Sequence, residues 1–128
     1  MIKTAHKQAM SVLLVALLVT GATAPARAVD PPYQADMERL SEIMGSLYFL
    51  QPLCDPGDVD WRQQAADLIA SDQPDEDRRQ RLAGAFNSGY TGFARFYRVC
   101  TASAREAMSR LLAEAEKLAR DMHSRYAE

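Results

Sequence analysis

Residues 82–100 read LAGAFNSGYTGFARFYRVC. Leu82, Phe86, Gly89, Phe93, Phe96 and Cys100 recur at steps of three and four, the period of one helical face. Two glycines inside such a run cost a helix about 1 kcal/mol each relative to alanine. Gly89 falls on the apolar face and Gly92 beside it, and the simplest reason is close approach of another helix backbone. The stretch predicts a long helix, opened by Asp75, Glu76 and Asp77 at its positive end and extending to about Cys100.

Upstream, Tyr33, Met37, Leu40, Met44, Leu47 and Tyr48 share a helical face from Tyr33 to about Gln51. The run Leu47-Tyr48-Phe49-Leu50 is apolar all round, and Pro52 is expected to stop this first helix. Cys54-Asp55-Pro56-Gly57 reads as a turn. Asp58 or Asp60 then caps a short helix carrying Trp61, Ala65, Leu68 and Ile69, which Ser71-Asp72-Gln73-Pro74 breaks. Downstream, Thr101 to Ser103 restarts the chain, with Ser103 and Glu106 spaced as a capping box. A fourth helix places Ala104, Met108, Leu112, Ala115, Ala119, Met122 and Tyr126 on one face. Glu106/Arg110, Glu116/Arg120 and Asp121/Arg125 sit on its solvated side, each pair worth a few tenths of a kcal/mol. No stretch alternates as a half-buried strand does. The expected fold is all-α, a small antiparallel bundle of about four helices.

The remainder of the chain sets its address. Residues 1–28 have the form of a secretory signal: Lys3, His6 and Lys7, an apolar run from Met10 to Val19, then Ala26-Arg27-Ala28 with small residues where a signal peptidase reads. The run is too short to span a bilayer, which takes about 20 apolar residues. Cleavage after Ala28 leaves residues 29–128 as a periplasmic helical domain with no stable membrane anchor. Loss of Lys3, Lys7 and Arg27 takes the basic residues from 15 to 12 against 17 acids, a net charge of −5. That field offers no attraction to nucleic acid. In an exported chain Cys54 and Cys100 most simply form one structural disulfide.

Catalytic signatures are missing. There is no Gly-x-Ser-x-Gly, no His-Glu-x-x-His and no phosphate loop. Among 17 acids any pair can be nominated for a glycan hydrolase, so that signal is nearly empty. Met37, Met44, Met108 and Met122 with His123 have copper-binding chemistry, but the methionines lie at core spacing on two helices and read as core filling. Arg78, Arg79 and Arg81 offer a phosphate or carboxylate site; the acids just before them favour a solvated helix start with local ion pairs. No cofactor or metal is expected. Asn87, Tyr90, Tyr97 and Arg98 line the border of the third helix's apolar face, and Trp61 and Arg62 open the second helix beside the disulfide turn. These residue types anchor interfaces and also serve as core edge; they are the candidate partner-binding set.

Leu40-Ser41-Glu42-Ile43-Met44-Gly45, Pro52-Leu53-Cys54, Trp61-Arg62, Arg79-Gln80-Arg81-Leu82, Ala85 to Phe93, Tyr97-Arg98-Val99-Cys100-Thr101 and Ser124-Arg125-Tyr126 are similar to the corresponding pieces of a family of small exported alphaproteobacterial proteins of unknown function. The resemblance covers nearly the whole of residues 29–128. It implies a periplasmic address and transfers no catalytic residue. The expected function is a non-enzymatic interaction module that binds another envelope protein, as an adaptor or regulator in cell-envelope or peptidoglycan assembly. The alternatives are a small-ligand carrier for lipid or metal, with a pocket between Gly89 and the apolar end of the first helix, and a carboxylate-dependent glycan hydrolase.

Overall fold

The computed structural model describes residues 28–127. Apart from Ala28, the expected signal segment lies outside the described residues. The chain forms four helices with no strand among the described residues: α1 (Gln34–Cys54), α2 (Trp61–Asp72), α3 (Glu76–Ala94) and α4 (Ala102–Tyr126). This is the all-α bundle that the periodicity predicts, and Cys54 and Cys100 are joined as a disulfide.

α1 is the spine. It packs on all three other helices, while α3 and α4 make no close backbone approach to each other. Met37, Leu40, Ile43, Leu47 and Leu50 are all buried, and Ile43, Leu47 and Leu50 form one cluster with Ala104, Ala107 and Leu111 of α4. A helix flanked on several sides has no solvated stripe at its enclosed end, which accounts for the apolar run at 47–50.

Side-chain pairs give the directions. Tyr33 meets Asp72 and Gln51 meets Trp61, so α2 runs antiparallel to α1. Arg39 meets Glu114 and Tyr33 meets Tyr126, so α4 does the same. Gln34 meets Arg78 near one end and Phe49 meets Tyr90 near the other, so α1 and α3 are parallel. They are also the pair in closest contact. A Cβ added to Gly89 would lie 1.9 Å from the Glu42 carbonyl oxygen, and one on Gly45 would lie 1.9 Å from that of Phe86. Gly89 therefore has the role its position predicts. Gly92 does not, since a Cβ there would meet nothing within 4 Å.

Element ends depart from expectation in instructive ways. Pro52 lies inside α1, which continues to Cys54. The ring removes one N–H in the last turn, and the Asp55 N–H still closes that turn on the Gln51 carbonyl at 2.8 Å. Asp60 is the cap of α2, accepting from the Gln63 N–H at 3.0 Å, and Gln73 ends that helix in the left-handed region at φ 48°. α3 stops at Ala94, well short of Cys100. The Phe96 and Tyr97 N–H groups both donate to the Phe93 carbonyl, at 3.0 and 3.1 Å, and the chain turns away. Phe96, assigned by periodicity to the core face, is consequently 81% exposed. The cap of α4 is Thr101, which accepts from the Ala104 N–H at 3.1 Å, in place of the Ser103/Glu106 box. The disulfide thus ties the end of α1 to the entry of α4, not to the end of α3. The buried face of α4 centres on Ala104, Ala107 and Leu111, and Leu112 is 41% exposed. Of the solvated pairs, Glu116–Arg120 and Asp121–Arg125 form, whereas no Glu106–Arg110 pair occurs among the described residues.

The basic start of α3 is not wholly solvated. Arg79 pairs with Glu76 at 3.1 Å, and Arg81 with Asp30 and Glu38 at 2.5 and 3.2 Å, as a solvated helix start would. Arg78 is buried, donating to Gln34 Oε1 at 2.7 Å and to the Asp72 carboxylate. The Tyr33 hydroxyl donates to the same carboxylate at 2.8 Å, which holds the phenol pKa above its ordinary value. This network joins the start of α1, the end of α2 and the start of α3.

Candidate functional site: the groove between α2 and α3

α2 and α3 leave the Gln73-Pro74 turn antiparallel and barely touch, so a furrow stays open between them. Its central part is a groove of about 360 Å³, with Arg62, Ala66 and Ile69 on the α2 side and Ala83, Phe86, Asn87 and Tyr90 on the α3 side. Tyr48 of α1 forms the floor. The furrow continues toward Gln73, Pro74 and Arg79 at one end, and toward Gln51, Val59 and Trp61 at the other.

Aromatic packing holds the floor. The Tyr48 ring centroid lies 5.8 Å from that of Phe86 and 5.7 Å from that of Tyr90, and Phe49 meets Tyr90 edge-on at 5.5 Å. Such tilted and edge contacts suit aromatic quadrupoles. They hold Tyr90 in place although it is 38% exposed.

Four of the lining residues, Tyr48, Arg62, Asn87 and Tyr90, carry polar side-chain groups. None makes a side-chain hydrogen bond or ion pair among the described residues. Neighbouring polar groups are engaged. Gln63 donates to Asp67 at 2.8 Å, the Trp61 indole N–H donates to Gln51, and Asp60 caps α2. An apolar concavity with a few convergent polar groups is the usual form of a recognition site. The arginine fork suits a carboxylate.

Three of the six candidate partner-binding residues, Arg62, Asn87 and Tyr90, therefore share one groove. The other three stand elsewhere. Tyr97 is half-buried, stacked on Phe93 at 6.0 Å and packed on the core cluster, so it is core edge. Arg98 is exposed in the turn beyond α3, because the helix that would have aligned it with Asn87 ends at Ala94. Trp61 packs half-buried against the core at the far end of the furrow. Sequence reasoning assigned Tyr48 to the core face and so missed the groove floor. Its place at the edge of an all-apolar helix end was the available signal.

Gly89 itself is covered by the α1 backbone and Ser46, while the groove lined by Phe86, Asn87, Tyr90 and the Tyr48 end of α1 lies where a carrier pocket was expected. Asp30, Asp75 and Asp77 share a furrow near α3, but all three are exposed; Asp30 is paired with Arg81, and Asp75 caps α3. Met37 and Met122 line one groove with His123, yet Met37 is buried core. No helix among the described residues is long and apolar enough to cross a membrane.

A family model described as "Protein of unknown function (DUF2385)" matches residues 32–126. The chain belongs to this family. The match to DUF2385 runs from just ahead of α1 to the last residue of α4, so it takes in the disulfide, both sides of the groove and its Tyr48 floor. Comparison with curated proteins and with solved structures gave no match.

Proposed function

We propose that this DUF2385 domain is a non-enzymatic interaction module of the periplasm, which docks a segment of another envelope protein in the α2–α3 groove. The observation that carries the reading is that Tyr48, Arg62, Asn87 and Tyr90, whose polar groups make no side-chain hydrogen bond or ion pair among the described residues, line one groove together with apolar side chains. A docked segment would cover Phe86 and Ile69 with apolar side chains and offer an acceptor to Arg62. Residues of this kind dominate binding energy at interfaces. The periplasmic address is supported by the signal-like residues 1–28, by a cysteine pair suited to an oxidising compartment, and by the resemblance to small exported alphaproteobacterial proteins. At that address we place its work as an adaptor or regulator in envelope or peptidoglycan assembly.

The test is capture from native envelope with the exported protein and two variants, Arg62→Glu and Tyr90→Ala. One partner retained by the natural chain and lost by both variants, with the melting temperature unchanged, supports the reading. Equal capture by all three proteins removes the groove from the function. Mass measurement of the exported species should give a chain starting at Val29 with no free thiol.

A further inference from the structure

The turn beyond α3 presents a second surface that does not involve the groove. Phe96 is 81% and Val99 66% exposed, while Tyr97 between them packs inward. Apart from Val29, they are the most exposed large apolar side chains among the described residues, and both fall within one short turn. Arg95 and Arg98 flank them, both exposed and neither in an ion pair or side-chain hydrogen bond among the described residues. Arg105, in the first turns of α4, lies with Nη1 3.5 Å from Cys100 Sγ.

The turn is braced at both ends. On one side Phe93 accepts from the Phe96 and Tyr97 N–H groups, and its ring stacks on Tyr97. On the other, Cys100 is bonded to Cys54 and Thr101 caps α4. With Tyr97 turned inward, Phe96 stands in solvent on a backbone fixed at both ends, so little backbone freedom is lost on binding.

Cations around apolar side chains suit either an anionic bilayer or a protein pocket with an acidic rim. The disulfide argues between them. It places Cys54, and with it the exposed Asp55, at the end of the turn. Pressed on an anionic bilayer, this carboxylate and the net charge of −5 carried by residues 29–128 would oppose the attraction of the three arginines. A protein rim can be acidic where it meets Arg95 and Arg98 and avoid Asp55.

We propose that Phe96 is an anchor, inserted into an apolar pocket of a partner protein whose rim is acidic opposite Arg95 and Arg98. The test replaces Phe96 with photoreactive benzoylphenylalanine in the full exported chain and irradiates living cells. The expected result is one discrete protein adduct whose cross-linked peptide carries apolar residues flanked by Asp or Glu. Its yield should fall roughly tenfold with Arg95→Glu/Arg98→Glu and stay unchanged with the same charge reversal at Arg120→Glu, on the solvated face of α4 outside both surfaces. If the double reversal disturbs the helical circular dichroism or frees thiols, Arg95→Gln/Arg98→Gln replaces it and must show a clear loss. An adduct to phospholipid, a cross-linked dimer of this chain, no discrete adduct, or a yield indifferent to the arginines overturns the proposal.

Discussion

Gly89 of α3 rests on the backbone of α1 at Glu42, where an added Cβ would lie 1.9 Å from a carbonyl oxygen. Gly45 makes the reciprocal contact with Phe86. Backbone atoms cannot rotate aside as a side chain can, so any larger residue must push the helices apart. Gly89→Ala and Gly45→Ala are each expected to destabilise by about 3 kcal/mol or more. Gly84→Ala, with nothing within 4 Å of its Cβ, should stabilise by about 0.5–1 kcal/mol through helix propensity. Gly92→Ala should do so by less, being near the helix end. Urea unfolding of the four variants checks the contrast in sign, and a loss at Gly84 as large as at Gly89 would refute the backbone-contact reading.

Cys54 and Cys100 close a segment of 46 residues, linking the last residue of α1 to the entry of α4. In the chain-entropy account such a closure stabilises by about 4 kcal/mol. Since domains of this size are only marginally stable, the Cys54→Ser/Cys100→Ser chain is expected to be largely unfolded near 37 °C. Thermal melts with and without reductant measure this. A reduced protein that melts within a few degrees of the oxidised one would show that packing around α1 suffices.

How much of this was legible in the sequence depends on whether the cause is local. The close approach at Gly89 is legible because a glycine on an apolar helical face weakens the helix and adds nothing to the core unless a second backbone rests there. The end of α3 is not legible. Arg95-Phe96-Tyr97-Arg98-Val99 contains no glycine or proline, and the helix stops because Tyr97 stacks on Phe93 while Cys100 reaches Cys54. The groove is half legible: Arg62, Asn87 and Tyr90 have the right chemistry, but Tyr48 joins them only because α2 and α3 splay over α1. Arg78 is hidden among three similar arginines. Facing Gln34 and Asp72 across other helices is a tertiary property that no spacing encodes.

That arginine supports a sharper prediction. Arg78 is 9% exposed and satisfies both Gln34 and Asp72. Arg78→Ala leaves the Asp72 carboxylate without its buried cation and is expected to destabilise by about 3–5 kcal/mol. Tyr33→Phe removes one hydrogen bond to the same carboxylate and should cost about 1 kcal/mol. Because the residues share Asp72, the double variant should lose less than the sum of the two. Strict additivity in chemical unfolding would mean that the phenol and the guanidinium act independently.

Arg39 of α1 reaches Glu114 of α4 with two parallel hydrogen bonds, Nε to Oε1 at 2.7 Å and Nη2 to Oε2 at 2.9 Å. Donation from Arg39 holds the Glu114 carboxyl below its ordinary value of 4.5. The folded state therefore binds this proton more weakly than the unfolded chain does. The pair stabilises above about pH 4.5, and the contribution is lost as the pH falls through the lower folded value. Both side chains are 41–45% exposed, so solvent screens the interaction and its worth is roughly 0.5–1 kcal/mol. Glu114→Gln should lower stability by that amount at neutral pH. The gap from the natural chain should narrow as the pH is taken from about 5 toward about 2, and narrow again at neutral pH in high salt. A gap that persists in acid and ignores salt would place the effect in packing at α1–α4 and not in the carboxylate's charge.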